Sequence, residues 1–185
     1  MKAKRIGIIC AAVLTGFLAL ALMYSCRRDP LVVELLYSFP AESKEGVIDA
    51  DYAELDGEVY REGSKSLRIT AEKPVIIKLY EINEPGIHDM TLIYKAWVKT
   101  GNLKGNVFLE MRVGFEKTKQ LVRGLSSKIS EDTGFKEIDT IFFLKKNHYP
   151  ESIELNLVIE GQGTVWIDSV RLYKGPLTFL RAKEF

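Results

Sequence analysis

Polar and apolar residues alternate with a period of two along most of this chain. Residues 152–160 read Ser-Ile-Glu-Leu-Asn-Leu-Val-Ile-Glu. Residues 106–113 alternate the same way, with Val107, Leu109, Met111 and Val113 on one face. In residues 91–99, Leu92, Tyr94, Ala96 and Val98 share one side, and Ile93, Lys95, Trp97 and Lys99 share the other. Such alternation marks strands with one buried face. Further strands are predicted over 31–39, 65–70, 75–80, 135–144 and 164–173. Turn-forming pairs punctuate them, among them Glu62-Gly63, Lys73-Pro74, Gly101-Asn102 and the run Gly161-Gln162-Gly163. Residues 116–130 fit a loop, a short strand or a helical turn. About eight short strands at this spacing predict an all-β, antiparallel β-sandwich. The domain spans residues 27–175, with 176–185 as a C-terminal tail.

The first 26 residues break the pattern. Lys2, Lys4 and Arg5 precede residues 6–26, which hold no charged side chain. A basic region before an apolar run is a membrane-targeting signal, with the basic end left in the cytoplasm. As a helix the run reaches about 31 Å, enough to cross a hydrocarbon core of about 30 Å. Two outcomes remain open. The segment stays as a transmembrane signal-anchor helix, or it is removed and Cys26 is lipidated, since Met23-Tyr24-Ser25-Cys26 is similar to a bacterial lipoprotein box. Either way, residues 6–26 deliver the domain to the periplasmic or extracellular side of a membrane.

Charge and cysteines sharpen this division. The 26 Lys and Arg nearly balance the 25 Asp and Glu. Three of the bases lie in the head and every acid lies beyond residue 26, so the outer domain is slightly acidic. No nucleic-acid partner is expected. Both cysteines, Cys10 and Cys26, belong to the head, so the sandwich has no disulfide, thiol nucleophile or cysteine-ligated metal.

Three segments, in order, carry a resemblance. They are Gly63-Ser64-Lys65-Ser66-Leu67, Ala96-Trp97-Val98-Lys99 and Trp166-Ile167-Asp168-Ser169-Val170-Arg171-Leu172. Together they resemble the carbohydrate-binding modules of galactose-binding-like jelly-roll fold, over most of residues 31–174. The resemblance implies a jelly-roll β-sandwich and a carbohydrate ligand. It also implies a structural calcium ion between the first and last strands. Asp168 stands at the carboxylate position, and Glu34, Gly63 and Lys65 are the other candidate ligands. Calcium requires six to eight oxygens.

Sugar recognition needs an aromatic platform and planar polar groups. The alternation supplies Lys95 and Trp97 on one strand, Phe108, Glu110 and Arg112 on the next, and Asn156, with Glu154, on a third. These are the candidate ligand-binding residues. The same face also reads as the solvated side of a sandwich or as a protein-contact surface. His88 and His148 lie in turns without a nucleophile motif, and the chain lacks a dinucleotide fingerprint, a phosphate-binding loop and a zinc-protease motif. The expected function is therefore a membrane-tethered, non-catalytic binding module, carbohydrate-binding in type. The alternative is a single-pass accessory subunit of a membrane protein complex whose jelly roll covers the outer surface.

Overall fold

The computed structural model describes residues 32–177. The N-terminal anchor or signal, Cys26 and residues 178–185 of the tail lie outside the described residues. Eight strands follow one another: β1 (Glu34–Phe39), β2 (Ala53–Asp56), β3 (Ser66–Ala71), β4 (Val75–Asn83), β5 (Met90–Phe115), β6 (Thr118–Arg123), β7 (Thr133–Leu144) and β8 (Ser152–Gly175). Single 3-10 turns occur at Ala50–Tyr52 and Leu125–Ser127. All pairings are antiparallel. The all-β reading holds, and the arrangement is consistent with a β-sandwich.

Two strands organise the rest. β5 and β8 are 26 and 24 residues long and pair from Thr91 with Gly175 to Gly114 with Ser152. They form one long ribbon, bent in the middle. Its first half, β5 from Met90 to Thr100 with the end of β8, carries β7 on one side and β1, β3 and β2 on the other. Its second half carries β6 and β4. The positions expected to be turns, around Gly101 and Gly161, are instead this bend.

Glycine makes the bend possible. Gly105 and Gly161 face each other in register, with φ of +129° and +152°. A Cβ on Gly105 would lie 1.9 Å from the Glu160 carbonyl oxygen, and one on Gly161 would lie 1.9 Å from that of Lys104. No side chain fits there. Asp132 braces the bend by accepting the N–H groups of Asn102 and Leu103 at 2.8 and 2.7 Å.

The bend also resets the alternation. The register slips between Gly101 and Lys104. Even-numbered residues of β5 point inward before it (Leu92, Tyr94, Ala96, Val98), and odd-numbered ones after it (Val107, Leu109, Met111, Val113). All eight join one hydrophobic cluster. On β8, Ile153, Leu155, Leu157 and Ile159 belong to the same cluster, as do Val165 and Ile167. A bulge at Ser169, φ +51°, then brings Val170 and Leu172 inward too. Both halves therefore bury their inner faces in one core, and their outer faces point away from each other. Phe39 of β1 stacks on Tyr80 of β4 with ring centres 4.0 Å apart, joining the edges of the two halves.

Candidate functional site

The bend divides the residues that the sequence groups on one face. Lys95 and Trp97 lie on the outer face of the first half. Phe108, Glu110, Arg112 and Asn156 lie on the outer face of the second. The six do not form one site, because the parity change at 101–105 turns the two halves' outer residues to opposite sides.

The first outer face is closed by its own chain. The segment between β2 and β3 crosses it. Asp168, buried, accepts the backbone N–H groups of Arg61 and Glu62 on one oxygen at 2.7 and 2.9 Å, and the Ser169 hydroxyl on the other at 3.2 Å. This holds the Arg61 guanidinium 4.8 Å from the centre of the Trp97 ring. Lys95 pairs with Glu137 at 2.6 Å. Trp166 donates its indole N–H to Asp56 at 2.8 Å and packs under Lys99. That bond, with the N–H groups of Glu58 and Val59, holds the Asp56 carboxyl below its usual range. Trp97 is thus half-buried, with one ring face taken by Arg61.

The calcium set is not assembled either. Glu34 sits opposite Lys174 in register and pairs with it at 3.0 Å, away from Asp168. The carboxylate beside residues 63–65 is that of Glu42, which accepts the N–H and hydroxyl of Ser64 at 2.8 and 2.6 Å. Asp168 already serves two amides and a hydroxyl. Among the described residues, no group of three or more His, Cys, Asp or Glu is placed to hold a metal ion. The two carboxylates of the expected set, Asp168 and Glu34, are not brought together.

The second outer face is different in kind. Glu110 is fully buried at its centre. One of its oxygens accepts Arg112 Nε at 2.7 Å, and the other accepts Arg123 Nε at 2.8 Å. Burial pushes the Glu110 carboxyl up, but the hydrogen bonds and charges of Arg123 and Arg112 outweigh it and hold the group below its usual range. Asn156 lies opposite Glu110 and points its amide nitrogen at the same carboxylate, at 3.5 Å. Glu154 lies opposite Arg112 and pairs through one oxygen with Lys119. Two buried acceptors of this face, Glu154 Oε2 and Asn156 Oδ1, have no partner, as is also true of Tyr94 OH and Thr140 Oγ1 in the interior of the first half. Orphaned buried acceptors cost about 1–3 kcal/mol each, and well-packed folds rarely keep them without a reason.

Phe108 does not serve as the expected platform. It is fully buried, with the Arg123 guanidinium 5.9 Å from its ring centre. The exposed apolar groups of this face are Leu121 and Ile76. Lys119 and Arg123, which complete the face, come from β6 within the stretch that sequence alone leaves undefined. Its residues are nearly all exposed, so no buried period marks it. The one signal available is the spacing of Lys119, Leu121 and Arg123 by twos.

No protein-family model matches the chain, and no curated protein sequence matches it. Solved structures do. The fold is similar to a structure described as "Family 16 Carbohydrate Binding Module-2", with a TM-score of 0.53 and 14% identity, covering 75% of this chain and 99% of that one. It is similar to the family 22 xylan-binding domain from Paenibacillus barcinonensis, with a TM-score of 0.55, 12% identity, and 80% and 99% of the two chains covered. It is also similar to the C-terminal family 22 carbohydrate-binding module of a Clostridium thermocellum protein, with a TM-score of 0.53, 10% identity, and 75% and 92% covered. At such identities the likeness is one of fold: the described chain is an all-β domain with the architecture seen in carbohydrate-binding modules.

Proposed function

We propose that the chain is a non-catalytic carbohydrate-binding module of jelly-roll type, whose ligand lies across the outer face built on Glu110, Glu154 and Asn156. The observation that carries this reading is the pair of unpartnered acceptors, Glu154 Oε2 and Asn156 Oδ1, on buried side chains. Sugar hydroxyls are the donors they lack. Arg112, Arg123 and Lys119 surround them with N–H groups for ring and hydroxyl oxygens. The half-exposed Lys119 side chain, on its flexible stem, can swing aside and open Glu154. Exposed Leu121 provides apolar contact for the C–H face of a ring. The fold likeness to modules described as carbohydrate-binding, one of them xylan-binding, supports the same reading.

The test is affinity electrophoresis of the full-length chain through gels containing soluble polysaccharides, xylan among them. Glu154→Gln and Asn156→Ala are expected to weaken retention at least tenfold on whichever glycan slows the parent. Trp97→Ala is expected to leave retention unchanged, since Trp97 lies on the other outer face with Arg61 on its ring. Equal retention of all three variants and the parent would show that this face is not the site.

A further inference from the structure

The bent ribbon brings its two ends together. Met90 and Phe115, the first and last residues of β5, belong to the same end of the domain, where residues 84–89, 115–118 and 145–151 make the connections. These loops frame an open cleft of about 680 Å³. That volume lies within the usual range for small-molecule sites, roughly 300–1,000 Å³. None of the residues of the Glu110 face line it.

Its walls are aromatic. Phe115 meets His148 edge to face, with ring centres 5.9 Å apart at 87°. Tyr149, also in the wall, meets His88 at 4.9 Å and 60°. Each pair fixes its rings, and Tyr149 remains 59% exposed. The polar lining is Glu84, Glu116, Glu151, Gln120 and Asn147, with Lys117 as its cation.

The backbone of these loops turns sharply. Among the described residues, five non-glycine residues adopt left-handed backbone. Asn102 serves the ribbon bend and Ser169 the bulge. The other three, Glu84 (φ +47°), Asp89 (φ +56°) and Asn147 (φ +62°), all lie on the cleft loops. Asp and Asn adopt this conformation readily in turns; at Glu84 it costs about 1–3 kcal/mol. Backbone hydrogen bonds tie two of these loops to the end of β5: Glu84 N–H to Glu151 O at 2.8 Å and Glu151 N–H to Gly114 O at 2.9 Å. These bonds fix one side of the cleft.

We propose that this cleft is a second saccharide site, taking a neutral sugar unit between Tyr149 and the Phe115–His148 pair. The aromatic walls suit the apolar faces of a pyranose, and planar carboxylates and amides suit its hydroxyls. The lining itself carries three glutamates and one lysine, which favours a neutral guest over phosphates, sulfated sugars and uronates. The same carboxylates disfavour a purely apolar guest.

The chain has two histidines, and both pack on these walls. Their imidazole C–H resonances therefore report on the cleft alone. The experiment titrates the full-length protein with xylobiose, cellobiose and galactobiose, and with glucuronate as the anionic control. At least one neutral disaccharide is expected to shift both imidazoles saturably, and glucuronate to shift neither. Tyr149→Ala should weaken that binding at least tenfold. His148→Ala, followed through His88, serves if the first variant does not fold. Asn156→Ala should leave the affinity unchanged, which separates this site from the Glu110 face. Imidazoles unmoved by every neutral sugar would overturn the proposal. So would equal binding of glucuronate, undiminished binding by the wall variant, or loss of binding in Asn156→Ala.

Discussion

The two outer faces come from the same pair of strands and obey opposite rules. On the first, every strong group is matched within the chain: Asp168 with two amides, Trp97 with Arg61, Trp166 with Asp56, Lys95 with Glu137. On the second, Glu110 is saturated by two arginines, while its neighbours Glu154 and Asn156 each keep a buried oxygen without a donor. The first face is finished as a surface. The second is left with hydrogen-bonding capacity that only something outside the described chain can use. Residue type does not distinguish them, since both carry aromatics, carboxylates and cations at alternate positions. What distinguishes them is whether the chain completes its own hydrogen bonds.

The largest effect expected on this comparison comes from removing the bend on which it depends. Gly161→Ala places a methyl 1.9 Å from the Lys104 carbonyl oxygen at a φ of +152°. A loss of about 3 kcal/mol or more is expected from strain and overpacking together. Urea unfolding measures it, and an unchanged midpoint would mean that the ribbon bends elsewhere. A smaller effect is expected from opening the finished face. Asp168→Ala strands the amides of Arg61 and Glu62 and should cost about 2–3 kcal/mol. Release of Arg61 from Trp97 should move the tryptophan emission, while glycan retention persists. Loss of retention in a folded Asp168→Ala protein would contradict the division of labour between the faces. The smallest effect has the opposite sign. Asn156→Leu replaces an orphaned acceptor with an apolar side chain of similar size, so stability should rise by up to about 1 kcal/mol as glycan retention falls. A clear drop in the melting temperature would show that Asn156 is a structural residue.

The strands with one buried face were legible from sequence because burial imposes period two on them. β2 and β6 escaped clear definition for the converse reason. β2 is four residues long, and β6 is exposed along nearly all of its length. The sequence predicts two turns at the bend, since Gly101 and Gly161 signal a break in either case. Only the register shows that pairing continues across it. At the site, Glu110, Arg112 and Asn156 were legible as outward polar residues of neighbouring strands. What covers a side chain was not legible. Arg61 lies over Trp97 and Arg123 over Phe108 through loop and edge-strand placements that alternation does not encode. The surroundings of Asp168 were equally illegible: it is where the resemblance puts it, and its oxygens meet amides from a loop whose course the motif does not specify.

The ribbon also dictates an order of assembly. Its partners closest in sequence are Gly114 and Ser152, and the pairs grow steadily more distant out to Thr91 and Gly175. Loop closure costs least at the near pair, so the strands zip from the Glu110 half toward the Trp97 half. The facing glycines lie between, and zipping must turn that corner before the second half can align. Such nested, non-local pairing belongs to slowly folding topologies. β8 is made after the other described strands and joins β1, β3, β4 and β5. Until it is made, four strands wait with open edges, and a chain cut short before Ser152 has no central strand on which to close.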